Sequence, residues 1–238
     1  MHMSQDHIIL SEDADTASSL LDERYPRHHR LYPFIARECP PGELAHDIWH
    51  VTRVYSWAMR LAYEGNADPD LAGAAALVHD LVPIPKDSPE RSLGGERSAA
   101  AAQPVLQEVG YLEEEVDIIV SAVQTSSWSR GLAAANAVGV VLQDADRLDA
   151  IGAIGIMRCF ATAQHMSRPN RPGRFYHPDD PIALQARELN DRRQALDHFR
   201  AKLLRLVTGM HLPTSKTEAL KRHRAMEHFM KQLEQELR

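Results

Sequence analysis

The run Leu71-Ala72-Gly73-Ala74-Ala75-Ala76-Leu77-Val78 ends in His79-Asp80, and its reading decides the fold. Asp68-Pro69 precedes it, with the aspartate suited to the N-cap and the proline to the first helical position. Pro83 and Pro85 stop it on the far side. Apolar or small residues occupy every position between, so the segment reads as a helix buried on all faces. A carboxylate beside an imidazole at the end of such a helix is costly unless something occupies it. Buried charges are normally paired or bound to a metal.

Working outward, the spacing predicts further helices and no strand. From Glu43 to Tyr63 the apolar positions Leu44, Ile48, Val51, Val54, Tyr55, Ala58, Leu61 and Ala62 recur at helical intervals, and Gly65-Asn66 suits a C-cap. Helical patterns also cover Ser98 to Val109, Glu113 to Gln124, roughly Ala133 to His165, Ile182 to Thr208, and Thr214 to Arg238. Val82 to Gly95 and Ser167 to Pro181 read as loops, and the Pro-punctuated start, through Cys39-Pro40-Pro41-Gly42, as a short helix or loop. No alternating pattern competes, and no repeat or Gly/Ser linker divides the chain. The expectation is an all-α protein, with residues 1–41 as an N-terminal extension and 42–238 as one helical domain that includes the C-terminal helices.

The bulk numbers exclude several classes. A chain of 238 residues can bury a full core. Its 27 Lys and Arg against 33 Asp and Glu leave a net charge of -6. That balance argues against a surface built for a nucleic acid polymer, while leaving room for a local basic pocket. The apolar stretches near Ala133 to Leu142 and Ile151 to Phe160 fall short of a membrane span. Met1 to Thr16 lacks the basic and apolar regions of a signal peptide. The two cysteines, Cys39 and Cys159, have no CxxC spacing and read as packing residues. A cytoplasmic protein is the simplest expectation.

Two other stretches carry chemistry that matches His79-Asp80: His50 in His46-Asp47-Ile48-Trp49-His50, and Asp144-Ala145-Asp146-Arg147-Leu148-Asp149. Imidazole suits transition metals and carboxylate suits hard divalent cations, so a mixed His/Asp set suits Mn, Fe, Co, Ni or Mg. His50 and His79 are 29 residues apart, and Asp80 and Asp146 are 66 apart. Such gaps put the ligands on different helices, the way helical bundles build internal metal sites. A metal with open positions lowers the pKa of a bound water to roughly 7 and polarises a phosphoryl oxygen. Lys86 and Arg91, beyond the His-Asp pair, and Arg147, beside Asp146, are candidate phosphate-binding cations.

His50, His79-Asp80 and Asp146 resemble the H…HD…D signature of the HD superfamily of metal-dependent phosphohydrolases. The likeness extends to blocks: His46 to Val54, His79-Asp80-Leu81-Val82 through Lys86 to Arg91, Gln143 to Gly155, and Leu196-Asp197-His198-Phe199 with Lys202-Leu203-Leu204. They resemble small bacterial HD-domain proteins that include nucleotide and dNTP pyrophosphohydrolases. The resemblance implies metal ligands His50, His79, Asp80 and Asp146, one divalent ion, and a small phosphorylated substrate, most naturally a nucleotide.

Two positions depart from the family pattern. Ser126 stands where relatives carry a histidine, and Val138 where they carry a glutamate. Both changes remove polar groups from the pocket or from a second ion, so one metal is the expectation. They also motivate an alternative, a non-catalytic metal or nucleotide sensor with a degenerate pocket. Asp144 and Asp149 compete with Asp146 for the ligand slot, with Asp144 expected to orient a ligand or bind water and Asp149 to pair locally with a cation such as Arg147 or to cap a neighbouring element. His46 reads as a group behind the ligands. The oligomeric state is open, a homodimer included.

Overall fold

The computed structural model describes residues 15–40, 42–85 and 88–237, and is helical as the spacing predicts. Nine α-helices of known extent occur among them: α1 Pro26–Glu38, α2 Ile48–Leu61, α3 Pro69–Val78, α4 Gly94–Glu108, α5 Glu113–Gln124, α6 Ala137–Asp149, α7 Gly152–Met166, α8 Asp197–Ala201 and α9 Pro213–Glu236. Short 3-10 turns lie at Arg91–Leu93, Trp128–Arg130 and Leu203–Gly209. Extended pairing among the described residues is confined to isolated bridges such as Arg174 with Gln194. No helix among them is long and apolar enough to cross a membrane.

The chain forms two compact units. Among the described residues, the first is drawn from 15–40, 42, 46–85 and 89–146, the second from 43–45, 88 and 147–237. In the first, α3 packs against α1, α2 and α5, and α4 packs against α5. Every residue of α3 from Leu71 to Val78 is buried. Its small side chains let the neighbouring helices approach closely. A Cβ at Gly73 would lie 2.3 Å from His28 Cε1 and 2.9 Å from Met59 Sδ. Gly73→Ala is therefore expected to destabilise the protein by about 1–3 kcal/mol, an overpacking cost, despite the better helix propensity of alanine. Thermal denaturation checks it, and a variant as stable as the parent contradicts it.

A polar cluster ties α1 to α3. Arg27 donates to Asp70 at 2.7 Å and to Glu115 at 2.7 Å, and its guanidinium lies 3.8 Å from the centre of the Tyr111 ring. His28, fully buried, sits 2.8 Å from the Asp70 carbonyl oxygen and 2.9 Å from the Tyr55 hydroxyl. The Asp70 carbonyl can only accept, so in the neutral ring Nε2 carries the proton and Nδ1 accepts from the Tyr55 hydroxyl, which itself accepts from the Asp22 amide. Burial by itself would raise the Asp70 pKa, but hydrogen bonds from His28, Arg27 and Tyr111 outweigh it and hold the carboxyl at about 2.

Because that value lies below the unfolded one, the unfolded chain takes up the proton first on acidification. Asp70 thus contributes stability of about 2 kcal/mol that is full above pH ~4 and lost as pH falls towards ~2. Denaturation of Asp70→Asn alongside the parent should show a gap near neutral pH that closes towards pH ~2. A gap independent of pH contradicts the assignment.

In the second unit α7 packs against α9, and the 3-10 turn Leu203–Gly209 packs against α8 and α9. Here the structure departs from the sequence reading twice. The pattern from Ala133 to His165 is two helices, broken where Gly152 adopts φ +79, a conformation that costs glycine little. The segment from Ile182 to Thr208 is helical only over Asp197–Ala201 and the 3-10 turn that follows. Aspartate side chains take the backbone amides that a helix would need. Asp180 accepts from Leu184 N at 2.8 Å and from Gln185 N at 3.3 Å, and Asp197 accepts from Asn190 N at 2.7 Å.

Of the two cysteines, Cys159 is buried and Cys39 half-buried. Both are free, and burial pushes each thiol up to about 12.

Candidate metal centre

Three helices of the first unit bring the predicted ligands together. Asp47 caps α2, its carboxylate accepting from the amide of His50 at 2.8 Å. His50 therefore sits in the first turn of α2, 1% exposed. Asp68 caps α3 and Pro69 opens it, as the sequence indicates. His79 is the C-cap of that helix, 3% exposed, with Asp80 following at the surface.

Asp146 comes from α6, which is anchored at both ends of its first-unit portion. Asn136 accepts from Gly139 N at 2.9 Å and donates to Ile118 O at 2.9 Å, fixing the start of α6 on α5. Gln143 Nε2 donates to the carbonyls of Thr125 at 2.7 Å and Leu132 at 3.2 Å.

His50 Nε2 and His79 Nε2 are 3.3 Å apart. Asp80 Oδ2 is 3.6 Å from each of them. Asp146 Oδ1 is 3.9 Å from His50 Nε2 and 4.0 Å from His79 Nε2. The ligand atoms of His50, His79 and Asp146 all lie within 4.8 Å of one another. The Asp80 side chain is 42% exposed and Asp146 30%, so the carboxylates stand nearer to water than the imidazoles do.

The ligand atoms of His50, His79 and Asp146 are spaced as a group that could hold one ion, whereas Asp80, though 3.6 Å from both imidazoles, falls outside that group. Ligand atoms about 2.1 Å from a metal centre in octahedral geometry sit about 3 Å apart when adjacent and about 4.2 Å apart when opposite. The chemistry of His79 points the same way. Its Nδ1 lies 2.8 Å from the Ala76 carbonyl oxygen, which can only accept. In the neutral ring Nδ1 therefore carries the proton and Nε2 turns a lone pair toward His50. Fixing a ligand's tautomer through its other nitrogen is the usual support for a metal-binding imidazole.

Of the three aspartates on α6, Asp146 has its carboxylate within 4.0 Å of both imidazoles. Asp144 is fully buried, and Asp149 pairs with Arg158 at 2.9 Å in the second unit. Arg147 is buried, with Nη1 donating to the Gly209 carbonyl and lying 3.1 Å from His211 Nε2. Arg91 opens the 3-10 turn before α4 and is partly exposed. Lys86 lies outside the described residues.

His46 stacks edge-on to His50 with ring centres 5.8 Å apart. At the departures, Ser126 is buried with its hydroxyl donating to Val123 O at 2.9 Å, and Val138 is buried. Sequence reasoning missed Asp47 and Gln143. An aspartate three residues ahead of His50 was a readable cap signal, whereas nothing local marked Gln143.

The family model for the HD domain matches residues 47–151. YpgQ of Bacillus subtilis is 32% identical over 196 residues, which cover 81% of this chain and 84% of YpgQ. The chain belongs to the HD domain family. Solved structures agree with that assignment. A Lactobacillus plantarum protein superposes on this HD domain protein with TM-score 0.71 at 27% identity, covering 91% of this chain and 98% of the other. B. subtilis YpgQ in complex with ADP gives TM-score 0.63 at 28% identity, covering 88% and 97%. An HD-superfamily hydrolase from Bacillus thuringiensis gives 0.60 at 27% identity, covering 95% and 97%. The fold is thus that of HD-superfamily hydrolases, and HD domains bind divalent metals.

Proposed function

We propose that this protein is a metal-dependent phosphohydrolase acting on a small phosphorylated compound, in the first instance a nucleotide. The observation that carries the reading is the pair of buried imidazole nitrogens 3.3 Å apart with two aspartate oxygens within 4.0 Å. In this reading His50, His79, Asp80 and Asp146 hold one divalent ion. Such an ion supplies Lewis acidity, lowering the pKa of a water to roughly 7 and polarising a phosphoryl oxygen.

The chain's own groups divide the remaining work. The Ala76 carbonyl keeps the His79 lone pair aimed inward. Asp80, at the solvent side, borders the place where a substrate arrives. Lys86 and Arg91 follow the His-Asp pair in sequence and are assigned to hold the phosphate and offset charge that develops on it. The ADP complex of YpgQ supports a nucleotide as the ligand class.

Purified protein supplied in turn with Mn, Mg, Fe, Co and Ni should hold about one ion per chain, as one open site requires. It should release phosphate or pyrophosphate from members of a nucleotide panel. The second reading, a sensor that binds without turnover, draws on Ser126 and Val138, which replace family polar groups by a locally bonded hydroxyl and a buried alkyl chain. Stoichiometric metal and ligand-induced thermal stabilisation with no turnover across the panel would favour the sensor and overturn the enzyme.

A further inference from the structure

We propose that Asp47 is a positioning residue for the metal centre: by capping α2 it holds the first turn, and with it the imidazole of His50, in the geometry that meets His79. The proposal rests on the metal-binding reading above.

Asp47 is the residue before the helix, with extended backbone (φ -82, ψ 177), and its Oδ1 accepts from the His50 amide at 2.8 Å. The His50 amide also lies 3.1 Å from the Asp47 carbonyl oxygen. The cap therefore acts on the backbone of the ligand residue itself. First-turn amides have no partner inside the helix, and without a cap that turn frays. His50 sits in that turn, with no helical residue between it and the end beyond Ile48 and Trp49.

The neighbouring ligand helix supplies a matched comparison. Asp68 caps α3 by accepting from the Asp70 amide at 2.8 Å. The ligand on that helix, His79, lies at the opposite end. Loss of the Asp68 cap frays a turn that carries no ligand, while loss of the Asp47 cap frays the one that does. The two substitutions remove the same kind of interaction, a side-chain cap on a first-turn amide, and the turn that Asp68 caps bears Asp70 of the Arg27 cluster where the turn that Asp47 caps bears a ligand.

The test is cobalt binding to the purified full chain, by competition with a chelator and by the visible spectrum of the bound ion. Thermal denaturation of each variant is run alongside. Cobalt bound by the parent establishes the metal reading independently; a parent that binds none removes that reading and this proposal with it. With binding established, Asp47→Ala should weaken cobalt affinity by about tenfold or more and alter the spectrum.

Asp68→Ala should lower the melting temperature comparably and leave affinity and spectrum unchanged. Asp47→Asn, which keeps the accepting oxygen and drops the charge, should restore both. If Asp47→Ala does not fold, Asp47→Gly takes its place: it removes the oxygen that holds the His50 amide at a smaller cost in stability and should weaken cobalt affinity in the same direction. The proposal is overturned by parental affinity in Asp47→Ala, by an equal loss in Asp68→Ala, or by no rescue in Asp47→Asn.

Discussion

His79→Ala is expected to cut turnover by on the order of a thousandfold or more, because an ion contributes several kcal/mol to the transition state and each ~1.4 kcal/mol is a factor of ten. The substitution removes one of the two buried nitrogens and leaves His50 Nε2 without its neighbour at 3.3 Å. Asp80 and Asp146 would remain, two partly exposed carboxylates that prefer water to a weakened site. Asp146→Ala should fall to a similar level. The double variant should be little worse than either single one, since residues that serve one ion act as a unit. Single-turnover assays on proteins shown to be folded by circular dichroism check this. Near-parental activity in His79→Ala would remove the mechanism, and strictly additive losses would show that the two residues serve different ends.

The largest expected effect on stability belongs to Arg187→Met. Asp197 is fully buried and accepts from Arg187 Nη2 at 2.5 Å and Nη1 at 2.8 Å. Asp180, 5% exposed, accepts from Arg187 Nε at 2.8 Å. One guanidinium thus serves two carboxylates that have left water. Removing one partner of a buried pair leaves an uncompensated charge, at a cost of about 3–5 kcal/mol. Exposed pairs such as Arg37 with Glu38 are worth at most about 1 kcal/mol.

Arg187→Lys should fall between, since an ammonium cannot reproduce the two-pronged contact to Asp197. Hydrogen exchange at the Leu184 and Asn190 amides, which bond to these aspartates, should quicken in the methionine variant. A loss below about 1 kcal/mol in urea denaturation would place this cluster with ordinary surface pairs.

What could be read from the sequence depended on how local the determining signal was. The helix Glu113–Gln124 matches its predicted bounds, since apolar periodicity and an acidic first turn agree there. Helix α3 was legible from Asp68-Pro69 and its unbroken small apolar run. Helix α2 begins at Ile48, five residues later than the apolar spacing from Glu43 suggests. The misleading residue is Leu44, which is 73% exposed; the Asp47 cap outweighs its contribution to the pattern.

The longest misreading, Ile182 to Thr208, failed because its outcome rests on aspartate side chains that capture backbone amides and on ion pairs seven and ten residues apart, which follow no helical spacing. A charged amphipathic pattern cannot reveal that Arg187 will reach both Asp180 and Asp197. Four site residues named from separated stretches come within 4.0 Å of a neighbouring partner in one unit. The cations are a different matter. A loop arginine or lysine takes its role from three-dimensional surroundings that spacing does not encode, and so does Arg147, a helical residue whose guanidinium meets Gly209 and His211.

The central claim is that imidazoles from α2 and α3 and carboxylates beside them share one cation. Anomalous diffraction from crystals grown with manganese tests it most directly. The account predicts a single strong peak per chain, about 2.0–2.3 Å from His50 Nε2, His79 Nε2 and a carboxylate oxygen each of Asp80 and Asp146. A map with no peak there, or with manganese bound only elsewhere, would contradict it.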